Sequence, residues 1–356
     1  MSDDEIADLI PTDASTPPRP TVEPLLSVRD LSVSFPTDDG LVRAVDSVTF
    51  DIASNETVGI VGESGSGKSV SSLAILGLLP KTAQITGEIL FRGESLRSKS
   101  ESEMDAVRGD EIAMIFQDAL AALNPVYTVG KQIAEAIRVH DHQLGKTAIR
   151  ERSIELLDLV GIPNPMERVD QYPHEYSGGM RQRAMIAMAI SNDPALLIAD
   201  EPTTALDVTI QAQVLEVLER IQDRTRSAIV LITHDLGVVA GVVERVIVMY
   251  AGRQIELGSV DDTFYSPRHP YTEGLLASLP RLDRRSDKGS RLHRIVGQPP
   301  SLIHIPTGCA FHPRCPYAEV PGRCAQDRPE LVELGGGHRS ACFFPERVGT
   351  FVAEPS

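Results

Sequence analysis

Tryptophan is absent from this 356-residue chain, and aromatic residues make up only 4% of it. A core must therefore be built from aliphatic side chains, which is ordinary for a mixed α/β protein. Cysteine does not occur before Cys309, so no disulfide framework can staple the bulk of the fold. No uninterrupted apolar run approaches the roughly 18 residues of a membrane-spanning helix, and none is expected. The start of the chain is acidic and lacks a basic-then-apolar leader, so secretion is not expected. Basic residues are also in deficit: 34 Lys and Arg stand against 50 Asp and Glu, a formal net charge of −16. Such a surface repels phosphate backbones, and no nucleic-acid partner is expected. The plainest use of the charge is solubility.

Against these absences stands one dense motif. Residues 62–69 read Gly-Glu-Ser-Gly-Ser-Gly-Lys-Ser, matching the phosphate-loop pattern G-x-x-x-x-G-K-[ST]. Thr57–Val61 before it is short, apolar and β-branched, as a buried strand is. Val70–Leu79 after it is an apolar segment of helix length that stops at Pro80. Strand, glycine-rich turn and helix together aim backbone N–H groups and the positive end of a helix dipole at one spot. The groups from Gly62 through Ser64, Gly65, Ser66 and Gly67 would cradle a polyphosphate. Lys68 would reach its β- and γ-phosphates, and the Ser69 hydroxyl would hold Mg²⁺.

Taken in order, residues 1–24 carry six carboxylates against one Arg and few core-forming residues, and read as a disordered acidic tail. Leu26–Phe35 and Val42–Ile52 alternate around a Pro-Thr-Asp-Asp-Gly turn, predicting an antiparallel pair ahead of the loop. Phe35 in the first of them suits either simple core or stacking on a nucleobase. Gln84–Arg92 reads as a further strand and Ser95–Arg108 as polar helix or loop. Ile112–Phe116 is a buried strand ending at Gln117. Amphipathic helices over Val129–His140 and Thr147–Leu159 read as an inserted subdomain of about residues 118–180.

Ser177-Gly178-Gly179 then opens a helix through Ile190. Ala195–Ala199 is a strand delivering Asp200 and Glu201, and Val208–Asp223 is an amphipathic helix. Ala228–Thr233 is a strand ending at His234, and Val246–Tyr250 is one more strand. Strands that alternate with helices and end in polar residues imply a largely parallel sheet with its site on the carboxyl edge. After about Gly258 the composition shifts toward Pro, Arg, His and Gly. A helix over Tyr271–Leu279 and a charged stretch at Arg281–Arg294 precede the cysteine-rich end.

Gln117, Asp200, Glu201 and His234 all terminate apolar strands downstream of a phosphate loop, and each alone has a bland reading as a solvated polar residue. Together they supply a carboxylate near Mg²⁺ and a second near attacking water. With the phosphate loop, the Gln117 loop, Tyr176-Ser-Gly-Gly-Met180, Leu196–Asp200 with Glu201, Ala205-Leu-Asp207 and His234, the chain resembles the ATP-binding subunits of ABC transporters over about residues 25–258. The fold class this implies is α/β: an ABC-type P-loop ATPase with a mainly parallel core sheet, an antiparallel β subdomain, an inserted α-helical subdomain and a small Cys-rich C-terminal extension.

Carried over by resemblance, Glu201 is the general base or water-polarising residue, and Asp200 binds Mg²⁺ through water. His234 contacts the γ-phosphate, and Gln117 touches metal or water and relays nucleotide state. Phe35 stacks on adenine. Ser177, Gly178 and Gly179 serve ATP held by the phosphate loop of an opposing subunit, and Asp207 is a further nucleotide-binding residue. Met180 departs from the Gln that more often ends the signature.

Ser266-Pro-Arg-His-Pro-Tyr-Thr272, the run Gly308–Pro316, and Phe116–Pro125 are similar to the oligopeptide/dipeptide importer ATPases. That resemblance implies ATP hydrolysis coupled to peptide import at the cytoplasmic face of a membrane. It implies as partners two transmembrane permease subunits, a second homologous ATPase and an extracytoplasmic peptide-binding protein. The same motor serving nickel, an oligosaccharide or another solute stays open, as does a soluble ABC ATPase of DNA repair or translation. In residues 259–356, Cys309, Cys315, Cys324 and Cys342 lack the close C-x₂₋₄-C pairs common in zinc sites. The resemblance implies a [4Fe–4S] cluster on them, with Zn²⁺ or unligated thiols as the alternatives.

Overall fold

The computed structural model describes residues 23–118, 122–204, 207–279 and 295–349. The acidic tail through residue 22, Ala205-Leu206 of the Asp207 loop, and the charged stretch 281–294 lie outside the described residues. Twelve strands are described: β1 (Leu26–Thr37), β2 (Gly40–Ile52), β3 (Thr57–Val61), β4 (Gln84–Phe91), β5 (Glu94–Ser95), β6 (Ile112–Ile115), β7 (Leu196–Asp200), β8 (Ala228–Thr233), β9 (Arg245–Tyr250), β10 (Arg253–Ser259), β11 (Val332–Gly335) and β12 (His338–Ser340).

They form two sheets. One is antiparallel, in the order β2-β1-β4-β5; the other runs β11-β12-β10-β9-β3-β8-β7-β6. From β9 to β6 the second sheet is parallel, while β10, β11 and β12 add antiparallel strands at one edge. The C-terminal region thus continues the central sheet through β12, which pairs with β10.

Strands β3, β7 and β8 are buried at every position. This is what unbroken apolar, β-branched runs do in a parallel sheet covered on both faces. Their side chains alternate between two cores. Leu197, Ala199, Ile229 and Leu231 pack toward the helices at Val129–His140, Lys146–Leu159, Gly178–Ala189 and Val208–Thr225. Leu196, Ile198, Val230 and Ile232 pack with Val28, Phe50 and Ile89 of the antiparallel sheet. Each fully buried aliphatic side chain contributes about 1.5–3 kcal/mol, so this two-sided burial is what holds the layers together.

Local differences from the sequence reading have local causes. The helix after the phosphate loop spans Lys68–Ile75 and ends before Leu79. Gly77 takes φ +64 there, and the Leu78 N–H turns back to the Leu73 carbonyl, a C-terminal cap. Part of Ser95–Arg108 is a true helix, Glu101–Val107, started by a reciprocal capping box between Ser100 and Glu103. Strands β10, β11 and β12 have no counterpart in that reading, because Arg253–Ser259 does not alternate cleanly and the four residues of β11 are all exposed.

Candidate functional site

The strand order decides the site. In the order β3-β8-β7-β6 the carboxyl ends stand side by side, and each delivers one or two candidate residues. The loop after β3 brings Lys68 and Ser69. His234 follows β8, Asp200 and Glu201 stand at the end of β7, and Gln117 follows β6. A cavity of about 510 Å³ is lined by Glu63 through Val70, Gln117, Glu201 and His234.

Two glycines of the loop are required by close approach. A Cβ on Gly62 would come 2.2 Å from the Met249 carbonyl oxygen, and one on Gly67 would come 2.4 Å from that of Ala44. Gly67 also holds φ +100, left-handed territory that favours glycine. Gly65 is left-handed too, at φ +79, with open space where its Cβ would be. Beyond Gly67 the helix Lys68–Ile75 presents its N-terminus to the cavity, a natural seat for an anion.

The Lys68 ammonium is nearly buried and donates to the Gly62 carbonyl at 2.7 Å and the Glu63 carbonyl at 3.1 Å. Glu201 Oε1 lies 4.0 Å from it. Burial pulls the Lys68 pKa below its usual value, and the charges of Glu201, Asp200 and Glu63 oppose that pull. Ser69 Oγ donates to Asp200 Oδ1 at 2.9 Å. Burial pushes the Asp200 carboxyl up, partly offset by this hydrogen bond. A serine hydroxyl beside a carboxylate is a hard-oxygen donor set of the kind Mg²⁺ selects, so these residues fit that ion.

Glu201 is the hub of the constellation. Its Oε2 accepts from Gln117 Nε2 at 3.1 Å and from Thr204 Oγ at 2.8 Å, and stands 3.2 Å from His234 Nδ1. Its backbone leaves the strand at φ +48, an unusual conformation for a residue with a side chain. The Glu201 N–H donates to the Ile232 carbonyl. Left-handed backbone at a non-glycine residue costs on the order of 1–3 kcal/mol and persists where surrounding structure enforces it. Thr204 went unnoticed in the sequence, although its position three residues past Glu201, in the turn after β7, is a local signal.

The remaining expected residues stand elsewhere. Phe35 is half-buried on β1 opposite Val42 and packs on the core between the sheets, off the wall of this cavity. Ser177 caps the helix Gly178–Ala189, accepting from the Met180 N–H at 3.3 Å. Ser177 and Gly178 are exposed and Gly179 is half-buried. Asp207 caps Val208–Thr225 through the Ile210 N–H at 3.0 Å. None of these four lines the cavity.

Cys309, Cys315, Cys324 and Cys342 come together around one small cavity shared with His269, Phe311 and His312. All four are free thiols. Burial pushes Cys315 up to about 12 and Cys342 up to about 11, and Cys309 shifts the same way. Cys309, Cys315 and Cys342 therefore hold their protons more tightly than an ordinary thiol does. Among the described residues, no group of three or more His, Cys, Asp or Glu side chains is spaced to hold a metal ion.

Comparisons with known proteins agree with this geometry. Residues 45–204 match the ABC transporter family, and residues 255–321 match the oligopeptide/dipeptide transporter C-terminal region. The dipeptide transport ATP-binding protein DppD of Bacillus subtilis (strain 168) is 55% identical over 328 residues, covering 92% of this chain and 96% of that protein. The oligopeptide transport ATP-binding protein OppD of Mycobacterium tuberculosis (strain ATCC 25618 / H37Rv) is 51% identical over 327 residues. Those residues are 92% of this chain and 53% of that protein, so the chain spans about half the length of the mycobacterial relative. In fold, a dimeric ATP-binding cassette in a post-hydrolysis state bound to ADP and Pi superposes with a TM-score of 0.60 at 24% identity. It covers 66% of this chain and 98% of that one.

Proposed function

Given that the chain belongs to the ABC transporter ATP-binding proteins of the oligopeptide/dipeptide branch, we propose that it binds and hydrolyses ATP to power peptide import. The carrying observation is the convergence of Lys68, Ser69, Asp200, Glu201, Gln117 and His234 at one sheet edge. On this reading, polyphosphate lies on the loop N–H groups and the helix N-terminus, and Lys68 leaves the Gly62 and Glu63 carbonyls for the β- and γ-phosphates. Ser69, Asp200 and Gln117 hold Mg²⁺, which neutralises charge on the phosphates. Glu201 takes the proton of the attacking water, and His234 reaches the γ-phosphate. Phe35 serves the adenine.

Ser177, Gly178, Gly179 and Asp207 stand away from the cavity, which suits completing the site of a second ATPase subunit. ATP between two subunits would close them, and hydrolysis would release them. The chain would sit on the cytoplasmic face of a membrane with two permeases, a second ATPase and an extracytoplasmic peptide-binding protein. No described helix is long and apolar enough to cross a membrane.

For the thiols, the reading is a [4Fe–4S] cluster held by Cys309, Cys315, Cys324 and Cys342. Its support is that all four cysteines line one small cavity. Such a cluster would supply a structural cross-link, and its binding must displace thiol protons. Iron and sulfide with a visible iron–sulfur chromophore in anaerobically purified protein support it; stoichiometric zinc without iron refutes it.

The function is tested by reconstituting the chain with its permeases, partner ATPase and binding protein in vesicles. ATP-dependent peptide accumulation that stops with Lys68→Ala is the expected result. Hydrolysis that ignores peptides but responds to nickel or an oligosaccharide would reassign the solute.

A further inference from the structure

We propose that the C-terminal region is part of the nucleotide site, with Arg314 and Tyr271 as positioning residues that hold the phosphate loop in shape for ATP. The proposal deepens the ATPase reading and rests on it. Its centre is Glu63, the second residue of the loop. The Glu63 N–H donates to the Tyr271 hydroxyl oxygen at 2.7 Å. Its carboxylate takes both arms of the Arg314 guanidinium, at 2.6 and 2.9 Å. Its carbonyl accepts from Lys68 at 3.1 Å and from the Ser66 N–H at 3.2 Å. Every polar group of this one loop residue is engaged, and two of the three engagements come from the C-terminal region.

The grip is built, not incidental. The Arg314 side chain is only 5% exposed, against 28% for Glu63. Its Nε donates to the Val296 carbonyl at 3.2 Å and one arm donates to the Tyr250 hydroxyl at 3.3 Å. The guanidinium lies over the Tyr250 and Phe311 rings, 5.8 and 5.9 Å from their centroids. Tyr250, Tyr271 and Phe311 pack on one another at 4.7, 5.2 and 5.4 Å, all nearly fully buried. Tyr250 ends β9, the neighbour of β3 that launches the loop. A planar guanidinium fixed by stacking and a two-point carboxylate bond leaves Glu63 one position.

A loop already ordered pays less to order itself around a ligand. Removing the grip should therefore weaken ATP binding more than it slows hydrolysis. In the reconstituted complex, Arg314→Gln and Glu63→Gln should each raise the KM for ATP about tenfold, the scale of one lost charge-assisted hydrogen bond, with kcat changed less than about twofold. The double variant should be no worse than the poorer single, because both remove the same interaction. Tyr271→Phe should also raise KM, and it carries the test with Glu63→Gln if Arg314→Gln does not fold. Arg339→Gln, which breaks an exposed pair with Glu333 on the β11–β12 hairpin, should leave KM unchanged.

Unchanged KM in Arg314→Gln and Glu63→Gln would overturn the proposal. So would additive effects in the double variant that follow loss of melting temperature. If wild-type complex hydrolyses no ATP, or Lys68→Ala hydrolyses it equally well, the ATPase reading falls and the proposal with it.

Discussion

Replacing Glu201 by Gln separates its assigned role from its structural one. The carboxylate is 12% exposed and its Oε2 accepts from Gln117 and Thr204. An amide of the same shape can put its oxygen where Oε2 stands and keep both bonds. The NH₂ then faces the side of Oε1, which lies 4.0 Å from the Lys68 ammonium. That contact loses its attraction, and burial lowers the Lys68 pKa further without the charge that most opposes it. The backbone at φ +48 suits Gln no worse than Glu. Fold and cavity should therefore survive, along with ATP binding.

Proton abstraction does not survive. General-base catalysis is worth about 10²- to 10⁴-fold, or about 2.7–5.5 kcal/mol of barrier. Steady-state phosphate release by the full complex should fall by that factor, while nucleotide remains bound and the two ATPase subunits stay closed on it. Turnover within about tenfold of wild type would refute Glu201 as the base. Loss of ATP binding together with turnover would make it a binding residue instead.

Gly67→Ala should destabilise the protein by about 1–3 kcal/mol and abolish nucleotide binding. A side chain there is strained at φ +100 and meets the Ala44 carbonyl, which urea titration and ATP titration would report. Arg245 bonds Glu56 through Nε at 2.5 Å and through a terminal nitrogen at 3.2 Å, and donates to the Asp51 carbonyl at 2.6 Å. Arg245→Met leaves Glu56 buried without its partner and should cost about 3–5 kcal/mol in denaturant midpoint analysis, much of it recovered by adding Glu56→Gln. His269 is buried and its pKa falls from 6.5 to about 3. Below pH 6.5 the unfolded chain takes up a proton that the folded one refuses, so stability drains as pH falls from 6.5 toward 3. The loss from this group reaches about 2 kcal/mol by pH 5. His269→Asn retains an acceptor for the Tyr271 N–H it caps, so its unfolding midpoint should move less between pH 7 and 5 than that of wild type.

Residues close in sequence, or placed by one regular element, declared themselves. The loop Gly62–Ser69 is legible because tight turns and close backbone approach exclude side chains, and the structure finds those contacts at Gly62 and Gly67. The polar strand ends Gln117, Asp200 and His234 were legible for a similar reason. An unbroken apolar strand must lie inside, and the first polar residue after it marks the sheet's edge. That these edges are neighbours is a matter of strand order, which hydrophobic patterns do not encode. The pairing β3-β8-β7-β6 turns four separate strand ends into one cavity.

The cysteines followed the same division. Their confinement to the C-terminal region is plain in the sequence, and their gathering around one cavity is a product of folding. Glu63 shows the limit most clearly. In the motif it occupies a position where any residue is allowed, and Arg314 lies 251 positions away in a stretch noted for its cysteines. No local periodicity links the two. Backbone conformation and strand burial are set by neighbours along the chain, so the nucleotide loop could be read directly. Which distant side chain meets that loop is set by how layers pack, and only the tertiary structure decided that Arg314 does.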